Sequence, residues 1–205
     1  MWIFSIYNKL KIKKWQKLPL EKRRKVLENI EKKEAKKLGL KPVKIILHKD
    51  RNWECYGMYE YRNDKEHLVL NPKLLEVNEL RFHAYETIVH ETRHAYQHFL
   101  TTSTQIYWWN FKKKRWARNY AAYINSSEDS EFYNLQPIER DAQKYTISRF
   151  NRLQFRFRNE QDFFDTLARI TSRFETSEQK AKEKHGIFYR FKLMRNLRKK
   201  ENKKK

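Results

Sequence analysis

The sequence predicts an α+β fold: a leading helix, a small and mostly antiparallel three-stranded sheet, then long helices. Three observations point there. The 205 residues include only 3 Gly and 4 Pro, too few for a turn-rich sandwich or barrel. Aromatic residues make up 15% of the chain, which separates it from disordered chains of similar charge. Short β-branched runs are confined to residues 43–70, and helical periodicity dominates on either side.

Residues 20–38 read as an amphipathic helix. Leu20, Leu27, Ile30 and Leu38 fall near one stripe, Pro19 precedes it and Gly39 is placed to end it. Val43–Leu47 is a β-branched run after Pro42, hence a strand. Glu54–Tyr61 and His67–Leu70 give two more, joined by the turn composition Arg62-Asn63-Asp64-Lys65, so they predict an antiparallel hairpin. Asn71-Pro72 ends the strand. A long helix is expected over 79–100 with Phe82, Tyr85, Val89, Tyr96 and Phe99 on one side. Residues 101–135 are mixed, with a Thr/Ser turn and a basic run at Lys112–Arg115. Further helices are expected over 136–150, with Pro137 in the first turn, and over 161–184.

Charge is concentrated at the ends. Residues 1–37 hold 13 Lys/Arg and 4 Asp/Glu, residues 180–205 hold 12 and 2, and the other 142 hold 22 and 19, within a net of +22. The expected organisation is a basic N-terminal helical segment (1–39), a core (40–155), a C-terminal helix (156–184) and a basic, partly disordered tail (185–205). Such ends suit DNA, RNA or an anionic lipid surface, or serve only solubility; Lys199, Lys200, Lys203, Lys204 and Lys205 are the expected nucleic-acid tether. No apolar window is long enough for a transmembrane helix, and Met1–Tyr7 is too short for a signal peptide. A single cysteine, Cys55, excludes a cysteine-cluster metal site, suits a reducing cytoplasmic setting and is expected to be a buried thiol.

The chemistry lies in His90-Glu91-Thr92-Arg93-His94, an H-E-x-x-H pattern inside the long helix. Two histidines four apart differ by about 40° around the axis, so both imidazoles can meet one tetrahedral Zn²⁺. Glu91 points to a neighbouring direction, where a general base for a metal-activated water belongs. His98 sits about 12 Å along the axis from His90, too far to share the ion. The third ligand is sought in Glu139-Arg140-Asp141-Ala142, at the start of a following helix. Glu139 completes a His₂Glu set, and Asp141 is its rival or a carboxylate that orients an imidazole.

These segments, His90–Gln97 and Glu139–Tyr145, resemble the small gluzincin-type zinc metallopeptidases, in particular the ImmA/IrrE-like group that processes phage-type repressors. The second segment is similar to their E-x-[DE]-A-x-x-[FY] helix. The resemblance covers roughly residues 40–150 and implies a zincin-like core, with the sheet on the H-E-x-x-H helix and a glutamate helix beside it. It implies His90, His94 and Glu139 as zinc ligands, Glu91 as catalytic base, and a protein substrate. It also implies that Leu68–Asn71 is an edge strand pairing with substrate backbone, and that small Ala142 lets the glutamate helix approach. A link to a phage or mobile element follows from the same likeness. Gln143 stands where gluzincins often carry Asp or Asn. The related membrane-bound HtpX-like peptidases differ by their transmembrane spans. The expected function is therefore zinc-dependent peptide hydrolysis near nucleic acid or a nucleoprotein. The alternative is a nucleic-acid-binding protein with such a zinc site and no turnover.

Tyr133, His83 and His67 are candidate donors to a developing oxyanion, although none has diagnostic spacing. Tyr107, Trp108, Trp109 and Trp116 beside Lys112–Arg115 fit either a single-strand platform or a core-capping loop.

Overall fold

The computed structural model describes residues 5–102, 110–125 and 127–202. The chain is mixed α+β, with ten α-helices and three strands among these residues. By contacts it falls into two compact units: Met1–Tyr96 with Ser148–Leu167, and Gln97–Ile147 with Ala168–Lys205.

The first unit begins with two single turns, α1 (Ser5–Asn8) and α2 (Ile12–Trp15), and then α3 (Leu20–Lys37). Gly39, at φ +72°, takes the left-handed position that ends α3, and Leu40 N–H returns to Ala35 O at 2.9 Å. The buried face of α3 runs through Val26, Leu27, Ile30 and Ala35, whereas Leu20, expected on that stripe, is 48% exposed.

Strands β1 (Lys44–Leu47), β2 (Gly57–Arg62) and β3 (Lys65–Leu70) form a sheet in the order β1-β3-β2. Asn63 and Asp64 both have positive φ, the geometry of a two-residue hairpin turn, and β2 pairs with β3 antiparallel. However, β1 pairs with β3 in parallel, so the sheet is mixed rather than mostly antiparallel. The middle strand is β3, which holds Leu68–Leu70. Its backbone is used on both sides, so it is not the free edge expected of it; β2 is an edge. Cys55 precedes β2 instead of lying within a strand, and it is exposed.

After α4 (Lys73–Glu76) and a 3₁₀ turn (Asn78–Leu80) comes α5 (Arg81–Thr102). Its inner face is Phe82, Tyr85, Ile88, Val89 and Ala95, while Phe99 is exposed. Phe82, Tyr85, Phe150, Phe157 and Phe163 pack ring against ring at 4.9–5.2 Å. Two buried acids interrupt this apolar interior. Glu34 meets Arg149 Nε at 2.9 Å, Lys37 Nζ at 2.6 Å and the Tyr7 hydroxyl at 3.1 Å. Glu31 accepts from a backbone donor, Val43 N–H, at 2.8 Å.

The second unit holds α6 (Phe111–Ala121), α7 (Ser130–Leu135), most of α8 (Pro137–Asn151), most of α9 (Gln161–His185) and α10 (Tyr189–Asn202). Side-chain caps explain the two helices inside the stretch that looked irregular. Asn110 accepts from Lys113 N–H at 3.2 Å, and Asp129 accepts from Phe132 N–H at 2.9 Å. The core joins Ala122, Ile124, Phe132, Leu135, Ala181, Tyr189, Leu193 and Leu197. Residues 189–202 form a helix with a buried stripe: Tyr189, Leu193 and Leu197 recur every fourth residue and need a partner surface. No helix among the described residues is long and apolar enough to cross a membrane.

Burial pushes the Glu31 carboxyl from the ordinary 4.5 up to about 7, against the pull of the Val43 N–H bond and the Lys32 charge. The fold thus favours its protonated form. That stabilisation is complete below pH 4.5 and is lost as pH rises through 7. Glu31→Gln keeps an oxygen for Val43 N–H and removes the ionisation. In urea melts it should flatten the stability slope between those pH values and exceed the wild type above pH 7, by on the order of 3 kcal/mol.

Candidate metal centre

The histidine pair is set by α5. Four residues apart on an unbroken helix, His90 and His94 bring their Nε2 atoms to 3.0 Å, with ring centroids 4.7 Å apart. Tetrahedral zinc with bonds of 2.0–2.1 Å would set two such nitrogens about 3.3–3.4 Å apart, so the rings need to part only slightly.

Glu91 is held by the sheet. Tyr59 N–H points away from β3 and donates to Glu91 Oε2 at 2.8 Å. This contact depends on Gly57. A Cβ there would lie 2.5 Å from Thr87 Cγ2 and 2.8 Å from Val69 O, so only glycine lets β2 lie this close to α5. Two residues along a strand advance about 6.8 Å and four along a helix about 6 Å, so the Gly57–Thr87 approach carries Tyr59 to Glu91.

Glu139 sits in the first turn of α8, where the helix dipole favours an anion. The start of α8 is fixed by buried amides. Gln136 Oε1 accepts from Ile124 N–H at 2.9 Å and Asn119 Nδ2 at 2.8 Å, and its Nε2 donates to Ile124 O at 2.8 Å. Asn119 Oδ1 accepts from Ile138 N–H at 3.1 Å. With Ile124 fixed, the neighbouring Tyr123 hydroxyl donates to Glu139 Oε1 at 2.7 Å. Burial, then the Glu139 charge, raises the Tyr123 pKa far above that of an ordinary phenol, so it stays a donor.

One ligand-type atom from each of His90, His94 and Glu139 lies within 4.8 Å of the others. Two imidazole nitrogens and one carboxylate oxygen are a donor set that suits zinc and leaves a coordination position open. Asp141 is not in this group. It accepts from Gln97 Nε2 at 3.0 Å and Lys112 Nζ at 2.7 Å. Gln97 also donates to Ile138 O at 3.0 Å.

The other sequence candidates lie elsewhere. His83 is seven residues before His90, about 10.5 Å along the helix, with its ring edge-on to Tyr56. His98 lies against Tyr120, and His67 is in the sheet opposite Glu60. Tyr133 meets Tyr123 edge-on, with ring centroids 6.0 Å apart, and so borders the tyrosine that holds Glu139. Gln143 is buried and donates to Ile170 O. Trp116 is buried under Lys112, in keeping with a core role; Tyr107, Trp108 and Trp109 lie outside the described residues. So do Lys203, Lys204 and Lys205. Lys199 is exposed, and Lys200 is engaged by Tyr123 O and Glu128. Sequence reasoning missed Tyr123, Tyr59 N–H and Gln136. A tyrosine sixteen residues before its carboxylate and a backbone amide leave no spacing to recognise.

No protein family, no curated protein and no solved structure matches the chain.

Two measurements test this geometry. Glu139→Gln should lower zinc affinity in metal titrations more than Asp141→Asn, and Tyr123→Phe should weaken it by about 10–100-fold, as loss of a ligand-orienting partner does. Gly57→Ala should cost about 1–3 kcal/mol in urea melts through overpacking. It should also speed hydrogen exchange at the Tyr59 amide.

Proposed function

We propose that the chain is a zinc-dependent peptidase of the gluzincin type, cutting a peptide bond in a protein substrate. The observation that carries this reading is the convergence of His90, His94 and Glu139 within 4.8 Å, two of them on the helix that also bears Glu91. Those three residues would hold zinc, which would supply the Lewis acidity to acidify water and polarise a carbonyl.

In this reading Glu91 accepts a proton from the attacking water and delivers it to the nitrogen of the leaving amine. Tyr59 N–H, on Oε2, fixes the carboxylate and leaves Oε1 for that exchange. Tyr123 donates to Glu139 Oε1 and so orients the carboxylate. An extended substrate segment would pair along β2, an edge strand, through backbone groups other than the Tyr59 N–H that Glu91 takes. The alternative, a zinc site without turnover, gives no role to a carboxylate held by a strand amide beside the ligand pair. The net charge of +22 favours substrates met at a polyanionic partner.

Glu91→Gln decides between the two. It should retain the wild type's zinc by elemental analysis and lose hydrolysis of a quenched fluorescent peptide library by about 10²–10⁴-fold. Cleavage at the wild-type rate would overturn the mechanism.

A further inference from the structure

One end of the second unit carries a feature that peptide hydrolysis does not use. Gly186, at φ +71°, turns the chain from α9 into α10. Tyr189, Leu193 and Leu197 bury the inner face of α10, while on the outer side Ile187 is 81% exposed, Phe188 73% and Phe191 70%. The turn itself is fixed. Gly186 N–H donates to Lys182 O at 2.7 Å and Tyr189 N–H to Gly186 O at 3.1 Å. The Tyr189 hydroxyl donates to Glu178, which also takes Arg190 Nη2 at 2.9 Å. Three large apolar side chains held outward by an ordered turn mark an interaction surface rather than a packing residue left over.

Cations surround this tip. Lys184, Lys192 and Arg195 are exposed on the same turns. Helices α6 and α10 pack together, and Lys200 near the end of α10 donates to Tyr123 O, just past α6, at 2.6 Å. Their N-terminal ends therefore lie on one side. There Phe111 is 74% exposed, and Lys112, Arg115, Arg140 and Lys144 line a pocket of about 300 Å³ against Trp116. Burial, followed by the charges of Arg190 and Arg115, lowers the Arg140 pKa, which ties the pocket to the first turn of α10. The one carboxylate lining the pocket, Asp141, is paired with Lys112.

We propose that this end of the second unit docks on an anionic lipid bilayer, with Ile187, Phe188 and Phe191 entering the headgroup–acyl boundary and Arg115, Arg140 and Lys144 taking lipid phosphates. Basic residues around an apolar tip are what such an interface selects. Single-stranded nucleic acid would use the rings as stacking platforms, but Ile187, the most exposed of the three, has no π face. Transfer to an apolar medium accounts for all three side chains. None of these residues is a proposed zinc ligand, so the surface stands or falls apart from the peptidase reading.

Co-sedimentation of the full chain with vesicles tests it. The wild type should bind vesicles of equimolar phosphatidylglycerol and phosphatidylcholine and not phosphatidylcholine alone. The double variant Phe188→Ser, Phe191→Ser changes only exposed side chains. It should keep its helical circular dichroism and bind at least about tenfold more weakly, the loss expected when one buried Phe is forfeited. Arg115→Gln with Lys144→Gln should weaken binding as well. Absence of binding to anionic vesicles would overturn the proposal, and so would binding untouched by the serine variant. Failure on vesicles together with Phe-dependent binding of a single-stranded oligonucleotide would assign the surface to nucleic acid instead.

Discussion

A buried guanidinium organises the first unit. Arg81 opens α5, is 2% exposed, and spends its donors on three segments far apart in the chain. Its Nε donates to Leu10 O at 2.7 Å, its Nη1 to Asn78 O at 3.2 Å, and its Nη2 to Glu160 at 2.6 Å and Asp162 at 2.8 Å. A buried charge without partners costs several kcal/mol, so the N-terminal turns and the start of α9 must meet α5 here or the arginine cannot be inside. The aromatic cluster of Phe82, Phe157 and Phe163 lies beside this clamp. The helix that carries the histidine pair is thus anchored at its first residue, and its imidazoles follow from helical geometry.

Each part of the candidate site is positioned by its own local scaffold. Missing bulk acts on one side: the absent side chain at Gly57 lets a strand amide reach Glu91. Buried polar groups act on the other: Gln136 and Asn119 fix the loop before α8, and the loop in turn presents Tyr123 to Glu139. The two devices obey one constraint. Buried hydrogen-bonding groups must be satisfied, and each bond they make removes a freedom from a residue that chemistry needs fixed.

The same constraint shapes the charge. Lys and Arg outnumber Asp and Glu by 22, yet acids are selectively taken inside, where Glu34 meets Arg149 and Lys37 while Glu31 meets a backbone amide. Cations stay largely outside, since a long side chain can bury its stem and keep its head in water. Part of the excess is displayed around α6 and α10 in the second unit, next to apolar side chains that the core leaves out.

Local periodicity determined much of this protein. The helices at 20–37, 81–102, 137–151 and 161–185 and the hairpin turn at Asn63-Asp64 were legible because each depends on neighbours within four residues. The His90–His94 pairing was legible for the same reason. Sequence could name Glu139 and Asp141 as rivals, but only folding separates them, because Lys112 and Gln97 claim Asp141. Strand order was likewise out of reach. Nothing in Leu68–Leu70 says that β1 will add in parallel and make β3 the middle strand, because pairing partners are chosen by tertiary packing. Composition registers the lysines of the basic C-terminus; the place of residues 189–202 in the fold is decided by Tyr189, Leu193 and Leu197, whose shared face matters only once another surface is there to cover it.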